Sequence, residues 1–245
     1  MTVHLEGPGV TIADVIAVAR DGARVELTDA AVQRMADARE IVERLLEGDP
    51  KYGISTGFGA LATVAIPPDR RQALQASLVR SHAAGMGDPV EDEVVRAMVL
   101  LRARTLALGA SGASPLVAQA MVDLLNAGIS PVVPEYGSLG ASGDLAPLAH
   151  AALALLGEGE VHHEGRRRPA AEALEAEGLS PITLAEKEGL AVINGTDGIL
   201  GMLCLAVDDT QRLLTQADMI SAMTVEGLLA TDAPFAADLQ ALRPH

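Results

Sequence analysis

Ala141-Ser142-Gly143 holds the parts for a cyclisation of the backbone. The Gly143 nitrogen, with no Cβ beside it to obstruct a compressed turn, can attack the Ala141 carbonyl. Loss of two waters, one of them carrying off the Ser142 hydroxyl, leaves a five-membered ring with an exocyclic methylidene. That product is an electrophile, which none of the twenty side chains provides. The same tripeptide has two plainer readings. One is a helix entrance, with Ser142 or Asp144 as N-cap and Pro147 in the first turn. The other is an anion cradle of backbone NH groups ahead of a helix. Neither GxGxxG nor GxxxxGK[ST] is present, which argues against a nucleotide.

Three more stretches carry polar groups where the chain is otherwise apolar or glycine-rich. Tyr52 stands in the glycine loop Lys51 to Gly59. Alone it reads as a packing or surface residue, although glycines around a hydroxyl let backbone and ligand approach closely. Ser81-His82 closes a helical pattern that starts at Pro67, where a histidine commonly serves the helix C-terminus. Asn194-Gly195 alone reads as a turn. An amide between an apolar strand and a helix N-terminus is also placed to hold a carboxylate or a carbonyl oxygen. The His162-His163 pair does not read as a metal site, because adjacent residues of a strand point apart and no spaced Cys or His joins them.

Read together, these stretches resemble one family. GSLGASGDLAPLAH, residues 137–150, is similar to the signature of the histidine and aromatic amino acid ammonia-lyases, whose prosthetic group is the methylidene-imidazolone described above. YGISTGFG, RSHAAGMG and KEGLAVINGT match further family segments in the right order, and the second of these is similar to the histidine subgroup. The resemblance implies elimination of ammonia from L-histidine to give trans-urocanate. It implies that Ala141, Ser142 and Gly143 build the electrophile autocatalytically, that Tyr52 removes the β-proton, and that Asn194 lies beside the ring. Substrate contact is implied for Ser81, His82 and Gly59. Neither a metal nor a dissociable cofactor is implied. Many histidine lyases carry Gln where Asp197 stands, so that position departs from the pattern. Two alternatives remain: a phenylalanine or tyrosine ammonia-lyase or aminomutase on the same scaffold, and a non-catalytic half-lyase that acts as an assembly module.

The elements that must position these groups are mostly helical. Aromatics are only 2% of the 245 residues while 49% are hydrophobic, so the interior is built from Ala, Leu, Val, Ile and Met, which favours close-packed helices. Helices are expected over Thr11 to Arg20, Thr28 to Glu47, from Pro67 to His82, Glu91 to Leu108, Ser114 to Ala127, Leu145 to Leu156, Ala170 to Ala176 and Ile199 to Thr231. In the second of them Val32, Met35, Ile41, Val42 and Leu45 are expected to face inward. Residues 158–168 read as a polar hairpin, with Arg166-Arg167-Arg168 in a solvated loop. The fold class expected is mainly α: the resemblance implies a long-helix bundle of the ammonia-lyase and fumarase type, with a smaller mixed α/β N-terminal region. Residues 1–110 would hold the Tyr52 loop and Ser81-His82, and residues 111–245 the electrophile loop and the start of the bundle.

A formal charge of −15 argues against nucleic-acid or anionic-membrane partners, which need a basic face. No apolar run reaches the 18 or so residues of a membrane span. The single cysteine, Cys204, excludes an internal disulfide framework, and with no signal peptide at the start a cytoplasmic setting is expected. Family members are much longer than 245 residues and act as tetramers. The chain is therefore expected to lack their C-terminal half, to associate into homo-oligomers through the apolar faces of 199–231, and by itself to keep an uncyclised Ser142 and be inactive.

Overall fold

The structure, a computed structural model, describes residues 1–243. It divides into two compact units, Met1–Leu205 and Ala206–His245, so position 110 lies inside the first.

The first unit opens with β1 (Thr2–Leu5), α1 (Ile12–Ala19) and β2 (Arg24–Leu27). The two strands pair in parallel, Val3 opposite Val25 and Leu5 opposite Leu27. Val3, Leu5 and Val25 alternate inward and are buried, as the two-residue strand period requires. A reciprocal capping box between Thr11 and Asp14 starts α1. Asn126 completes the β2 edge, accepting from Val25 N at 2.8 Å and donating to Val25 O at 2.9 Å.

In α2 (Asp29–Leu46), capped by Thr28, the expected inward face is only partly right. Met35 and Val42 are buried, but Val32 and Ile41 are exposed. The inward stripe runs Ala31, Met35, Arg39, Val42, and Arg39 holds a core position because its guanidinium reaches the Glu186 carbonyl at 2.7 Å.

α3 (Pro68–His82) is followed by β3 (Met86–Pro89), α4 (Asp92–Ala107), α5 (Pro115–Asn126), β4 (Ser130–Pro131), β5 (Pro134–Tyr136) and α6 (Leu145–Leu155). Met98, Leu100 and Leu106 of α4, Leu124 of α5 and Leu148 of α6 are fully buried in one core. Each contributes about 1.5–3 kcal/mol of burial. Strands β6 (Glu160–His163) and β7 (Arg166–Pro169) form the hairpin and add β4 in the order β4-β6-β7. Arg166-Arg167-Arg168 thus lie on β7 and not in a loop, with Arg167 paired to Glu160 and Arg168 to Glu164.

α7 (Ala170–Ala176) and α8 (Glu188–Ile193) lead to α9 (Asp197–Gly227). The segment before Asn194 is therefore a short helix, where an apolar strand was expected. The membrane reading also needs correction. An 18-residue window within Glu188–Gly227 reaches a mean hydropathy of 1.8, as apolar as a span, and 44% of that window is buried inside the protein. The polar interruptions at Asn194 and Asp197 are too few to lower the average.

The second unit holds α9 from Ala206 onward, a 3-10 turn at Ala233–Phe235 and α10 (Ala237–Gln240). Leu213, Ile220, Met223 and Leu228 are exposed there.

Candidate active site

The loop ahead of α6 is closed by a short bridge, Leu139 N donating to Gly143 O at 2.8 Å. Gly143 has φ +88°, and a Cβ there would sit 2.9 Å from Ile199 Cδ1, so both backbone and space demand glycine. Ser142 Oγ donates to Asn194 Oδ1 at 2.6 Å and lies 3.4 Å from Gly195 O. Asp144 N donates to Gly195 O at 3.2 Å. The Asp144 carboxylate, 1% exposed, accepts from Ile199 N at 2.9 Å. Neither Ser142 nor Asp144 caps α6 with its side chain, as the helix-entrance reading had it. Both reach instead to residues 194–199, where the Asp144 charge meets the positive N-terminal end of α9.

Asn194 is held from behind by α8. Lys187, at φ +73°, turns the chain into that helix. Glu188, 1% exposed, accepts from Ser114 N at 2.8 Å and from Ala185 N at 2.7 Å. Gly189 N donates to Gln75 Oε1 at 2.9 Å, and a Cβ on Gly189 would meet the Gln75 carbonyl at 3.0 Å. Lys187-Glu188-Gly189 therefore docks α8 on α3 and on the start of α5. Below it, Arg102 Nη1 donates to both Asn194 O and Asp197 Oδ2, each at 2.9 Å, while Thr105 Oγ1 donates to Asp197 Oδ1 at 3.2 Å. Burial pushes the Asp197 carboxyl up, against the pull of Arg102; burial likewise lowers Arg102. Gln75, Arg102, Glu188 and Asp197 escaped the sequence reading as a set. The only signal was a charged or amide residue inside an apolar helical pattern.

Tyr52 sits in a compact turn, 57% exposed, its ring edge-on to Phe58 at 6.2 Å. Gly53 (φ +70°) brings this loop against α8, since a Cβ there would be 3.3 Å from Leu190 Cδ2. Gly59 begins a 3-10 turn at φ +54° with open space around it. His82 Nδ1 lies 2.9 Å from Leu78 O in its own helix and 3.1 Å from Ser81 Oγ. Donating from Nδ1 to that carbonyl leaves the lone pair on Nε2. The structure thus joins Ser142 to Asn194 directly and Ser81 to His82. Among the described residues no hydrogen bond links Tyr52, Gly59 or His82 to the Ser142–Asn194 pair.

His150 on α6 fastens the turn after His82, its Nε2 accepting from Gly85 N at 3.0 Å. Burial lowers its pKa from 6.5, and the acceptor role also requires the neutral ring. A depressed pKa means that this contribution is fully present above about pH 6.5 and is lost as pH falls through the folded-state value. The thermal midpoint should therefore fall more steeply below that pH in the native protein than in His150→Gln; parallel pH profiles would refute the role.

The hairpin histidines are engaged separately, His162 with Asp92 at 2.7 Å and His163 with Glu177 at 2.9 Å. Among the described residues no group of three or more His, Cys, Asp or Glu converges as metal ligands would. A cavity of about 840 Å³ lies in the second unit around Asp218, Val225 and Phe235 and contains none of the groups above. Asn194 and Arg102 line a smaller one of about 160 Å³ with Ser111 and Lys187.

The chain is 56% identical, over its whole length, to a histidine ammonia-lyase of Streptomyces coelicolor, of which it covers 48%. It is 51% identical over 94% of its length to that of Deinococcus radiodurans, covering 44%. Among solved structures it superposes with a TM-score of 0.91 on the histidine ammonia-lyase of Trypanosoma cruzi, at 38% identity, covering all of this chain and 47% of that one. A tyrosine aminomutase from Streptomyces globisporus gives 0.93 at 36% identity, with 100% and 46% covered. The chain thus spans about half the length of the relatives it matches. Residues 10–245 match the aromatic amino acid lyase family, and the chain belongs to that family.

Proposed function

We propose that this chain provides the electrophile loop and its partner amide to a histidine ammonia-lyase, which eliminates ammonia from L-histidine to give trans-urocanate. The observation that carries the reading is the 2.6 Å hydrogen bond from Ser142 Oγ to Asn194 Oδ1. The residues present fit a methylidene-imidazolone. The Leu139–Gly143 bridge closes the loop around the tripeptide, Gly143 has the left-handed backbone that only glycine adopts freely, and the Ser142 hydroxyl has an acceptor beside it. Once formed, that ring supplies an electrophile for capture of the substrate amine.

The chain's own groups do the rest. Without the Ser142 hydroxyl, Asn194 Oδ1 would lose its donor, and the carboxamide would turn its NH2 group to the ring oxygen or the substrate carboxylate. Tyr52 takes the β-proton as general base. Its exposure in this chain is consistent with a pocket wall contributed by other parts of the full-length protein. Ser81, His82 and Gly59 contact the substrate, the His82 imidazole by a hydrogen bond to the substrate imidazole that no aliphatic side chain can make. No metal or dissociable cofactor enters this scheme. The exposed Leu213, Ile220, Met223 and Leu228 support a homo-oligomer, a tetramer at full length, and the free, buried Cys204 fits a reducing, cytoplasmic setting.

The test is an assay of the full-length protein, at the length its relatives have, on L-histidine, L-phenylalanine and L-tyrosine side by side. Turnover of histidine well above the other two supports the reading, and a preference for tyrosine with formation of a β-amino acid would move it to the aminomutases. His82→Leu should raise the Michaelis constant for histidine about tenfold, near 1.4 kcal/mol of binding. An unchanged constant would return His82 to a helix-end role.

A further inference from the structure

We propose that the buried Arg102–Asp197 pair is a positioning device for Asn194, fixing its main chain so that its carboxamide meets the Ser142 side chain. The activity part of this proposal rests on the function argued above; the structural part does not. Asn194 ends α8 and Asp197 begins α9, so the residues between them belong to neither helix. A single nitrogen, Arg102 Nη1, bridges that gap by donating to the Asn194 carbonyl and the Asp197 carboxylate at 2.9 Å each. Thr105, one turn further along α4, holds the other carboxylate oxygen at 3.2 Å. Both anchors project from α4, between its buried Leu101 and Leu106. Gly195 passes so close that an added Cβ would land on Arg102 Nη1 and Asp197 Oδ2. The pair and the turn carrying Asn194 therefore interlock.

Stability alone does not account for such a pair. Its side chains are 4% and 8% exposed, and among the described residues Arg102 Nε has no hydrogen-bond partner. Desolvation of both ions offsets most of their attraction, and well-packed apolar replacements of such pairs are often neutral or stabilising. What the pair adds is direction: it ties the α8 end and the α9 start to one rigid point, and the Ser142–Asn194 contact is built on that turn.

The test uses the full-length protein with the double replacement Arg102→Met, Asp197→Leu, and with Asp197→Asn, which keeps an acceptor for Arg102. Thermal midpoint, hydrogen exchange of the 190–196 segment, and kcat and KM for L-histidine are measured on each. The double variant should keep a midpoint close to the native one, while exchange of the segment rises and kcat falls by about tenfold or more with KM within about threefold. Asp197→Asn should restore exchange and kcat to within about threefold of native. A double variant with native midpoint, exchange and kcat would overturn the proposal and leave the pair a packing feature. If the double variant does not fold, Arg102→Lys, which keeps the charge without the planar fork, takes its place, and native exchange and kcat there would overturn the proposal equally. Should the native protein show no turnover of histidine, the functional reading fails and the exchange measurement alone decides the positioning role.

Discussion

Ser142→Ala in the full-length protein is expected to lower histidine turnover by about a thousandfold or more, some 4 kcal/mol of barrier. The fold should survive. Ser142 is half-buried, and the side-chain hydrogen bonds it makes among the described residues go to Asn194 Oδ1 and Gly195 O. The hydroxyl that makes them would already be gone once the ring has formed, so against the active protein the variant loses no such bond. Even against an uncyclised form the loss leaves one amide without its partner, a cost of about 1 kcal/mol, which for 245 residues is about 2–4 °C of midpoint. Chemistry suffers far more, because alanine has no β-hydroxyl to leave as water and the electrophile cannot be built. Two measurements check this: urocanate absorbance for the rate, and intact mass, in which the active protein is lighter than its sequence by two waters and the variant is not. Near-native turnover by the variant would end the prosthetic-group assignment. A native mass equal to that of the unmodified sequence, in a protein that turns over histidine, would do the same.

The second large effect is Tyr52→Phe, expected to lower kcat by about 10²–10⁴-fold, the usual worth of a general base. Structure should hardly change. The ring stays edge-on to Phe58, and the side chain is 57% exposed, so removing the hydroxyl leaves no buried group unpaired. An ordinary phenol loses its proton only near pH 10, so a base of this kind needs a neighbour that favours the phenolate. With β-deuterated histidine, the isotope effect on kcat should grow in the variant as proton removal becomes rate-limiting. Activity within about threefold of native would place the proton acceptor on another residue.

What the sequence made legible was whatever is local. Ala141-Ser142-Gly143, the Tyr52 loop and Asn194-Gly195 are contiguous, and glycine beside a polar residue marks each. Helix ends such as Thr11, Thr28 and Pro115 were legible for the same reason, because caps and breakers act within a few residues. Long-range polar joints were not. Nothing in the linear pattern pairs Arg102 with Asp197 or Gln75 with Gly189, and Asp144 looked like a cap for the next helix when its partner lies at Ile199. The inward face of α2 was only partly legible on the same ground. Periodicity placed Val32 and Ile41 inside with Met35 and Val42, of which only the last two are buried, while Arg39 is buried because a distant carbonyl at Glu186 receives it. In each case a polar side chain enters the core only after a remote segment has supplied its partner.

Those separations also set an order in time. Ser142 and Asn194 are 52 residues apart, and Arg102 and Asp197 are 95 apart. During synthesis, which proceeds from the N-terminus, the Ala141 to Gly143 loop emerges well before the segment that must sit against it. Until Asn194 and Ile199 have been made, the Ser142 hydroxyl lacks its acceptor and the Asp144 carboxylate its helix end. On the function proposed above, ring closure would follow synthesis of the α8–α9 junction, which would keep a reactive electrophile off a nascent chain whose apolar surfaces are still uncovered.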